Sequence, residues 1–233
     1  MPARQKSERL GATSPSCAER RGAAAAEAGL PGSGRTRAAR AAILTGVLVA
    51  ACGTGPSSPS AVGSCGPFPP WPSSEYVLPY PVGTAYLVLQ GNCSGLSHTG
   101  VYQYGYDFDM SIGTPITAAR AGEVVVRRFG FDDTQIRDGQ QNYVMVRHAD
   151  GMITGYSHLT NRVVVSVGDT VAAGDPVGFS GNTGTSSGIP HLHFSMSSCL
   201  VPNDCGTRPL TFRNTDPNPN GLEAGRVYPA RAY

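Results

Sequence analysis

The sequence predicts an all-β protein, organised as an antiparallel sheet or sandwich-like single domain that presents a groove. Glycine and proline are frequent, with 30 Gly and 19 Pro among 233 residues, and they do not follow the three-residue period of collagen. Between them lie short β-branched or alternating segments, and no segment shows capped helical periodicity over three turns. Short strands joined by turns, with their loops around a groove, are the architecture that this pattern favours.

Six segments have the composition of strands, and each is bounded by Gly, Asp or Asn. The pair Asp150-Gly151 separates the third from the fourth and predicts a tight hairpin there. We expect these strands to build one domain over residues 76–233, with residues 211–233 as an extended tail packed on it. The predicted strands are residues 85–90, 122–127, 142–147, 152–157, 162–166 and 191–195.

The N-terminal 51 residues have the features of an export signal preceded by a disordered leader. Three arginines precede an apolar run over residues 41–51, which is too short to span a bilayer as a stable helix. The run ends at Cys52 after small residues, which resembles the lipobox of bacterial lipoproteins; an ordinary secretory signal with a chance cysteine is the alternative. We therefore expect an exported, membrane-anchored lipoprotein that faces the periplasm or cell surface, with lipid on Cys52 and a flexible tether over residues 52–75.

The charge distribution argues against a nucleic-acid partner. The formal net charge is +2, but eight of the 18 cationic and three of the 16 acidic residues lie within residues 1–51. The remainder carries ten positive and 13 negative charges and is slightly acidic. We expect no nucleic-acid binding, and we expect a monomer.

Cysteine usage also indicates export. Cys17 lies in the leader, and apart from Cys52 four cysteines remain, an even number that implies two disulfides in an exported domain. Cys199 and Cys205 flank a short polar loop and are the natural pair, which leaves one N-terminal pair. Three disulfide connectivities remain possible for these four cysteines. A zinc–thiolate site is the alternative, but the sequence lacks the C-x-x-C spacing that would favour it. The N-terminal candidates are Cys65 and Cys93.

Histidines carry the candidate chemistry. His191 and His193 are two residues apart on a predicted strand, so both imidazoles point to one face. His158 ends another predicted strand, and His98 and Asp107 lie in what reads as a loop that enters the first core strands. Two nitrogens and one carboxylate, with a position left open for water, make a catalytic zinc set. The fifth histidine, His148, lies beside the predicted hairpin and is expected to have a hydrogen-bonded or exposed role.

Several spaced motifs, in this order, resemble the M23 family of zinc metallopeptidases, of the lysostaphin and LytM type. The similarity runs from about Leu87 to Phe212. The motifs are Asp107-Phe108, the run from Gly113 to Val125, Gly155-Tyr-Ser-His-Leu159, Val167-Gly-Asp-Thr-Val171, Ser180-Gly-Asn-Thr-Gly184 and His191-Leu-His-Phe194.

The resemblance implies a partly closed β-roll whose groove binds one Zn²⁺ per chain. It implies Asp107 and His193 as metal ligands, and His158 and His191 as catalytic residues on either side of the activated water. The implied activity is hydrolysis of peptide bonds in peptidoglycan stem peptides or cross-bridges. Such a zinc ion lowers the pKa of its water toward about 7, and the histidines move the proton.

One position departs from the family pattern. The family begins its site with His-x-x-x-Asp, and the residue four before Asp107 is Gln103, whose amide is a poor zinc ligand. A strict reading makes the protein a metal-free, catalytically inactive regulator or wall-binding lipoprotein. We expect instead that His98 supplies the first ligand, because a looped chain reaches that far and nitrogen suits zinc.

Overall fold

Short strands make up nearly all of the regular structure in this computed structural model, which describes residues 65–162 and 164–233. Within these residues the helical elements are two three-residue 3₁₀ turns, at Trp71–Ser73 and Gly100–Tyr102, and a four-residue helix α1, Pro202–Cys205. The strands are β1 Ala85–Gln90, β2 Gly105–Asp109, β3 Pro115–Thr117, β4 Gly122–Arg128, β5 Tyr143–Arg147, β6 Ile153–Ser157, β7 Thr170–Val171, β8 Pro176–Phe179, β9 His191–Ser197 and β10 Val227–Pro229.

Eight of these strands form one sheet, in the order β10-β1-β2-β9-β6-β5-β4-β7, and β3 and β8 form a second sheet of two strands. Every pairing is antiparallel, which confirms the predicted all-β, antiparallel fold. The predicted hairpin joins β5 to β6. There Gly151, at φ 82°, donates its N–H to the His148 carbonyl at 2.9 Å.

The core lies on one face of the large sheet. Strands β2, β6 and β9 each carry fully buried aromatic residues at alternate positions. These residues are Tyr106, Phe108, Tyr156 and Phe194. Because alternate residues of a strand point to opposite faces, this apolar alternation places the intervening polar residues of β2, β6 and β9 on the other face.

Two sequence predictions about strands were wrong. Residues 162 and 164–166 form no strand; Arg162 stacks on the Phe179 ring at 4.0 Å, and Val164 is exposed. Conversely, Asp107 lies in strand β2 and not in a loop. Burial decides this, since Tyr106 and Phe108 pack into the core on either side of it.

The C-terminal residues contribute to both the sheet and the core. Strand β10 pairs with β1, and Phe212 and Tyr228 are buried. Two disulfides join Cys65 to Cys93 and Cys199 to Cys205, with Cα–Cα distances of 5.9 and 6.2 Å. Of the three possible connectivities, this is the one that the short loop between Cys199 and Cys205 predicts.

The predicted leader and signal, Cys52, residues 52–64 of the predicted tether, and Val163 lie outside the described residues. Within the described part of the chain, no helix has the length and apolar character that a bilayer crossing requires.

Candidate metal centre

Three neighbouring strands of the large sheet position the site. In the register of the sheet, Asp107 of β2 lies opposite His193 of β9, and His193 lies opposite Ser157 of β6. His191 precedes His193 by two residues and shares its face, while His158 follows directly after β6. Strand pairing therefore brings side chains from three separate parts of the sequence to one point.

His98, Asp107 and His193 form a cluster of three potential metal ligands, whose ligand atoms all lie within 4.8 Å of one another. His193 Nδ1 is 2.8 Å from Asp107 Oδ1, and His98 Nε2 is 3.3 Å from the same oxygen. His98 Nε2 is also 3.3 Å from His193 Nδ1. The ring of His98 is fully buried.

His98 reaches the cluster from a loop and not from a strand. Its Nδ1 donates a hydrogen bond to the Gly91 carbonyl at 2.8 Å, which leaves Nε2 directed at Asp107. Gln103 does not belong to the cluster; its carbonyl accepts the Cys93 N–H at 2.7 Å in the turn that closes the loop. The structure thus places His98, and not Gln103, beside Asp107.

The carboxyl of Asp107 stays ionised in this setting. Burial alone would raise its pKa, but hydrogen bonds from His193 and His98, and the charge those rings can carry, hold the pKa well below its usual range. An ionised carboxylate beside two imidazoles has the charge that a divalent cation requires.

His158 and His191 lie together at the edge of the cluster, with ring centroids 4.6 Å apart. His158 Nδ1 donates to the Thr183 carbonyl at 2.7 Å, and His191 Nδ1 donates to the Ile189 carbonyl at 2.7 Å. His191 Nε2 is 3.8 Å from Asp107 Oδ1. In each neutral ring the hydrogen bond fixes the proton on Nδ1, so Nε2 keeps a free lone pair.

Burial keeps both rings neutral. It lowers the pKa of His158 to about 3, with further lowering by His191 and His193, and it also lowers the pKa of His191. Both rings are therefore neutral near pH 7 and can accept a hydrogen bond or a proton, while the same lowering of the pKa makes each a weaker base than a free imidazole.

His148 lies apart from the site, as its place beside the hairpin suggested. Its Nδ1 donates to the Ala121 carbonyl at 2.9 Å, and its Nε2 is 3.1 Å from Thr154 Oγ1. This buried histidine is fully hydrogen-bonded and has a structural role.

Sequence reasoning missed two residues that hold His158 in place. The backbone of His158 has a φ of 61°, which is unusual for a residue with a side chain. The neighbouring Leu159 carbonyl accepts hydrogen bonds from Asn142 Nδ2 at 3.1 Å and from Thr183 Oγ1 at 2.8 Å. Thr183 lies in the Ser180–Gly184 motif and Asn142 begins a predicted strand, but nothing local in the sequence indicates that either one contacts the turn at His158.

The donor set fits a zinc ion. Two imidazole nitrogens and one carboxylate oxygen are typical catalytic zinc ligands, and three protein ligands leave a coordination position open. The hydrogen bond from His98 to the Gly91 carbonyl resembles the outer contacts that orient metal-binding histidines.

Part of the chain is similar in sequence to known metallopeptidases. Residues 101–204 match the sequence model of Peptidase family M23. An "Uncharacterized metalloprotease" of Buchnera aphidicola is 41% identical over 92 residues, which are 40% of this chain and 22% of that protein. The "Peptidoglycan DD-endopeptidase ShyA" of Vibrio cholerae is 38% identical over 92 residues, 40% of this chain and 19% of that protein.

Among solved structures, the catalytic domain of the antimicrobial peptidase lysostaphin from Staphylococcus simulans has 29% identity and a TM-score of 0.38, over 53% of this chain and 87% of that one. The chain spans about a fifth of the length of the curated relatives it matches. The family match includes Asp107, His158, His191 and His193, but it begins three residues after His98. The sequence matches support a relationship to family M23, and the family model covers the segment that carries most of the site.

Proposed function

We propose that this chain is a zinc metalloendopeptidase of family M23 that hydrolyses peptide bonds in peptidoglycan stem peptides or cross-bridges. The observation that carries the proposal is the cluster of His98, Asp107 and His193 beside two neutral histidines. The family match supports peptidase chemistry.

The residues divide into ligands and proton carriers. His98 Nε2, Asp107 Oδ1 and His193 Nδ1 would hold one zinc ion, which supplies Lewis acidity toward the scissile carbonyl and activates water. His158 and His191 each present an unprotonated Nε2, because their Nδ1 atoms donate to backbone carbonyls. One ring can accept the proton of the water, and the other can stabilise the oxyanion or protonate the leaving amine.

The substrate class rests on the relatives. One is named a peptidoglycan DD-endopeptidase, and 92 residues of this chain are 38% identical to it. A wall substrate requires a location outside the cytoplasm, which agrees with two disulfides in the domain.

Metal analysis of purified protein tests the ligands. We expect one zinc per chain in the wild type as purified, whereas His98→Ala, with Asp107 and His193 left as ligands, should bind zinc too weakly to retain it through purification. Gln103→Ala is the matched control, because Gln103 stands where the family places its first ligand, and it should retain zinc. Zinc kept by His98→Ala and lost by Gln103→Ala would reverse the assignment.

Digestion of purified sacculi tests the activity. Muropeptide analysis should show cleaved cross-links with wild-type protein and none with Asp107→Ala. Sacculi left intact by zinc-loaded wild type would instead identify a catalytically inactive, M23-fold regulator or wall-binding protein.

We also propose that lipid on Cys52 anchors the protein to a membrane. Cells fed a labelled fatty acid should yield labelled wild-type protein and unlabelled Cys52→Ala. Absence of label from the wild type would contradict the anchor and leave the peptidase proposal untouched.

A further inference from the structure

The loop that delivers His98 differs from the rest of the site in how it is held. Asp107 and His193 lie on paired strands, where ladder hydrogen bonds fix their positions. His98 instead lies near the end of an irregular segment, residues 91–99, which we call the ligand loop.

Apolar burial does not hold the ligand loop. Its one large apolar residue, Leu96, is 82% exposed, and residues 94–97 are all exposed. Only Gly91 and His98 within the loop are buried. Since hydrophobic burial is the main favourable term in ordering a chain, this loop needs other restraints to keep a buried imidazole in place.

Polar contacts supply part of the restraint. Gln90 Nε2 donates to Ser97 Oγ at 2.5 Å, and Asn92 Nδ2 donates to the Tyr106 hydroxyl at 2.7 Å. These contacts lie at the two ends of the loop and are partly open to water, so each contributes only about 1 kcal/mol.

A covalent bond adds a further restraint. Cys93 forms a disulfide with Cys65, and its N–H donates to the Gln103 carbonyl at 2.7 Å. The bond therefore ties the loop, five residues before His98, to a segment outside the sheet.

That segment is itself fixed to the domain. Gly66 donates its N–H to the Tyr104 hydroxyl at 3.2 Å, and the Phe68 ring packs edge-on against Tyr104 with centroids 6.0 Å apart. Farther along, Thr211 Oγ1 donates to the Pro69 carbonyl at 3.4 Å. The disulfide thus joins the ligand loop to an anchored strap, defined as residues 65–69.

We infer that the Cys65–Cys93 disulfide positions His98 for metal binding, and that the strap and ligand loop together supply the ligand that the His-x-x-x-Asp family pattern would place at position 103. The inference rests on the proposed zinc site. The other disulfide, Cys199–Cys205, closes the segment that contains α1. This segment contacts the chain beyond the ligand loop, where Thr207 donates its N–H to the Val101 carbonyl at 2.7 Å, but its disulfide is not bonded to the loop itself and serves as a matched control.

The test compares zinc affinities by chelator competition in the full chain. Replacing both cysteines with serine, Cys65→Ser with Cys93→Ser, frees the loop without leaving thiols that would bind zinc themselves. Contacts that orient metal ligands change affinity by about tenfold to a hundredfold, and we expect a loss in that range. Cys199→Ser with Cys205→Ser should bind zinc as the wild type does.

A cycle with His98→Ala separates positioning from general stability. If the disulfide acts through His98, removing it in the His98→Ala background changes zinc affinity no further. An equal loss in both backgrounds, or wild-type affinity in the Cys65/Cys93 double variant, would overturn the inference. A wild type that binds no zinc would overturn the proposed function itself, so the two failures are distinct.

Thermal unfolding establishes that each variant is folded at the assay temperature. If the Cys65/Cys93 variant is not, two glycines inserted between Gly95 and Leu96 loosen the same loop at its exposed tip with the disulfide intact. Lowered zinc affinity in this insertion variant supports the inference, and unchanged affinity contradicts it.

Discussion

Gly105 is the residue that lets the ligands approach one another. A Cβ atom at this position would lie 3.1 Å from Cε1 of His193 and 3.3 Å from Nε2 of His98. Those distances are too short for ordinary contact, and both neighbours belong to the metal cluster. The absence of a side chain at position 105 is therefore part of the site.

We predict that Gly105→Ala weakens zinc binding while the fold persists, because the new methyl group displaces His98 and His193. Chelator competition measures the affinity, and circular dichroism follows the fold. Gly155→Ala is the matched control, since Gly155 also pairs with Ser195 and its Cβ would meet only Ser195 Oγ, at 3.8 Å. Equal zinc affinity in the two variants would refute the argument.

His148 makes the stability of the domain depend on pH. Burial lowers the pKa of His148, whereas its unfolded pKa is about 6.5. Below about pH 6.5 the unfolded chain binds a proton that the folded chain does not bind. The free energy of unfolding therefore falls as pH decreases, by up to about 1.4 kcal/mol per pH unit, until the folded pKa is reached.

His158 and His191 have lowered pKa values too, so the pH dependence of wild-type stability also contains their contributions. The contribution of His148 is therefore the difference in pH dependence between the wild type and a His148 variant. In chelator-treated protein, denaturant unfolding between about pH 7 and 5 should show a shallower loss of stability for His148→Gln than for the wild type. Parallel curves of unfolding free energy against pH would show that the pKa of His148 is the same in the folded and unfolded states.

At the level of elements, Asn142 joins three segments around His158. Its Nδ2 donates to the Phe131 carbonyl at 2.8 Å and to the Leu159 carbonyl at 3.1 Å. Its Oδ1 accepts the Phe131 N–H at 3.2 Å, and its own N–H donates to Thr183 Oγ1 at 3.0 Å. One fully buried amide thereby connects the start of β5, the loop before it and the turn that carries His158.

Asn142→Ala should lower the free energy of unfolding by about 3 kcal/mol, because the partly buried N–H and carbonyl of Phe131 lose their partner and the buried Leu159 carbonyl loses one of its two donors. Denaturant unfolding measures this, and Asn220→Ala, at an exposed position, should change stability by less than about 0.5 kcal/mol. Similar values for the two variants would mean that water replaces the amide.

At the level of the whole molecule, the C-terminal strand closes one edge of the sheet. Strand β10 pairs with β1, and the buried Tyr80 hydroxyl donates to the Tyr228 carbonyl at 2.8 Å. Without β10, β1 becomes an open edge and the core loses a buried aromatic ring.

Deleting residues 227–233 should therefore abolish cooperative thermal unfolding and promote aggregation, which circular dichroism and light scattering detect. Deleting only residues 232–233, which are exposed, should leave the unfolding midpoint within a few degrees of wild type. A soluble, cooperative product of the longer deletion would show that β10 is dispensable.

Local patterns determined much of the fold from the sequence. Five of the six predicted strands form, because alternating and β-branched runs bounded by turn residues are short-range signals. The shared face of His191 and His193 follows from the two-residue period of a strand. The strand predicted over residues 162–166 is not formed by residue 162 or residues 164–166, which pair with no strand among the described residues.

Only the tertiary structure decided how the site is assembled. It put Asp107 on a central strand opposite His193, brought His98 rather than Gln103 to the cluster, and set Asn142 behind His158. Strand order, register and loop closure bring together site residues that are up to 95 positions apart, as for His98 and His193. Such contacts depend on the packing of the whole core, which local periodicity does not encode.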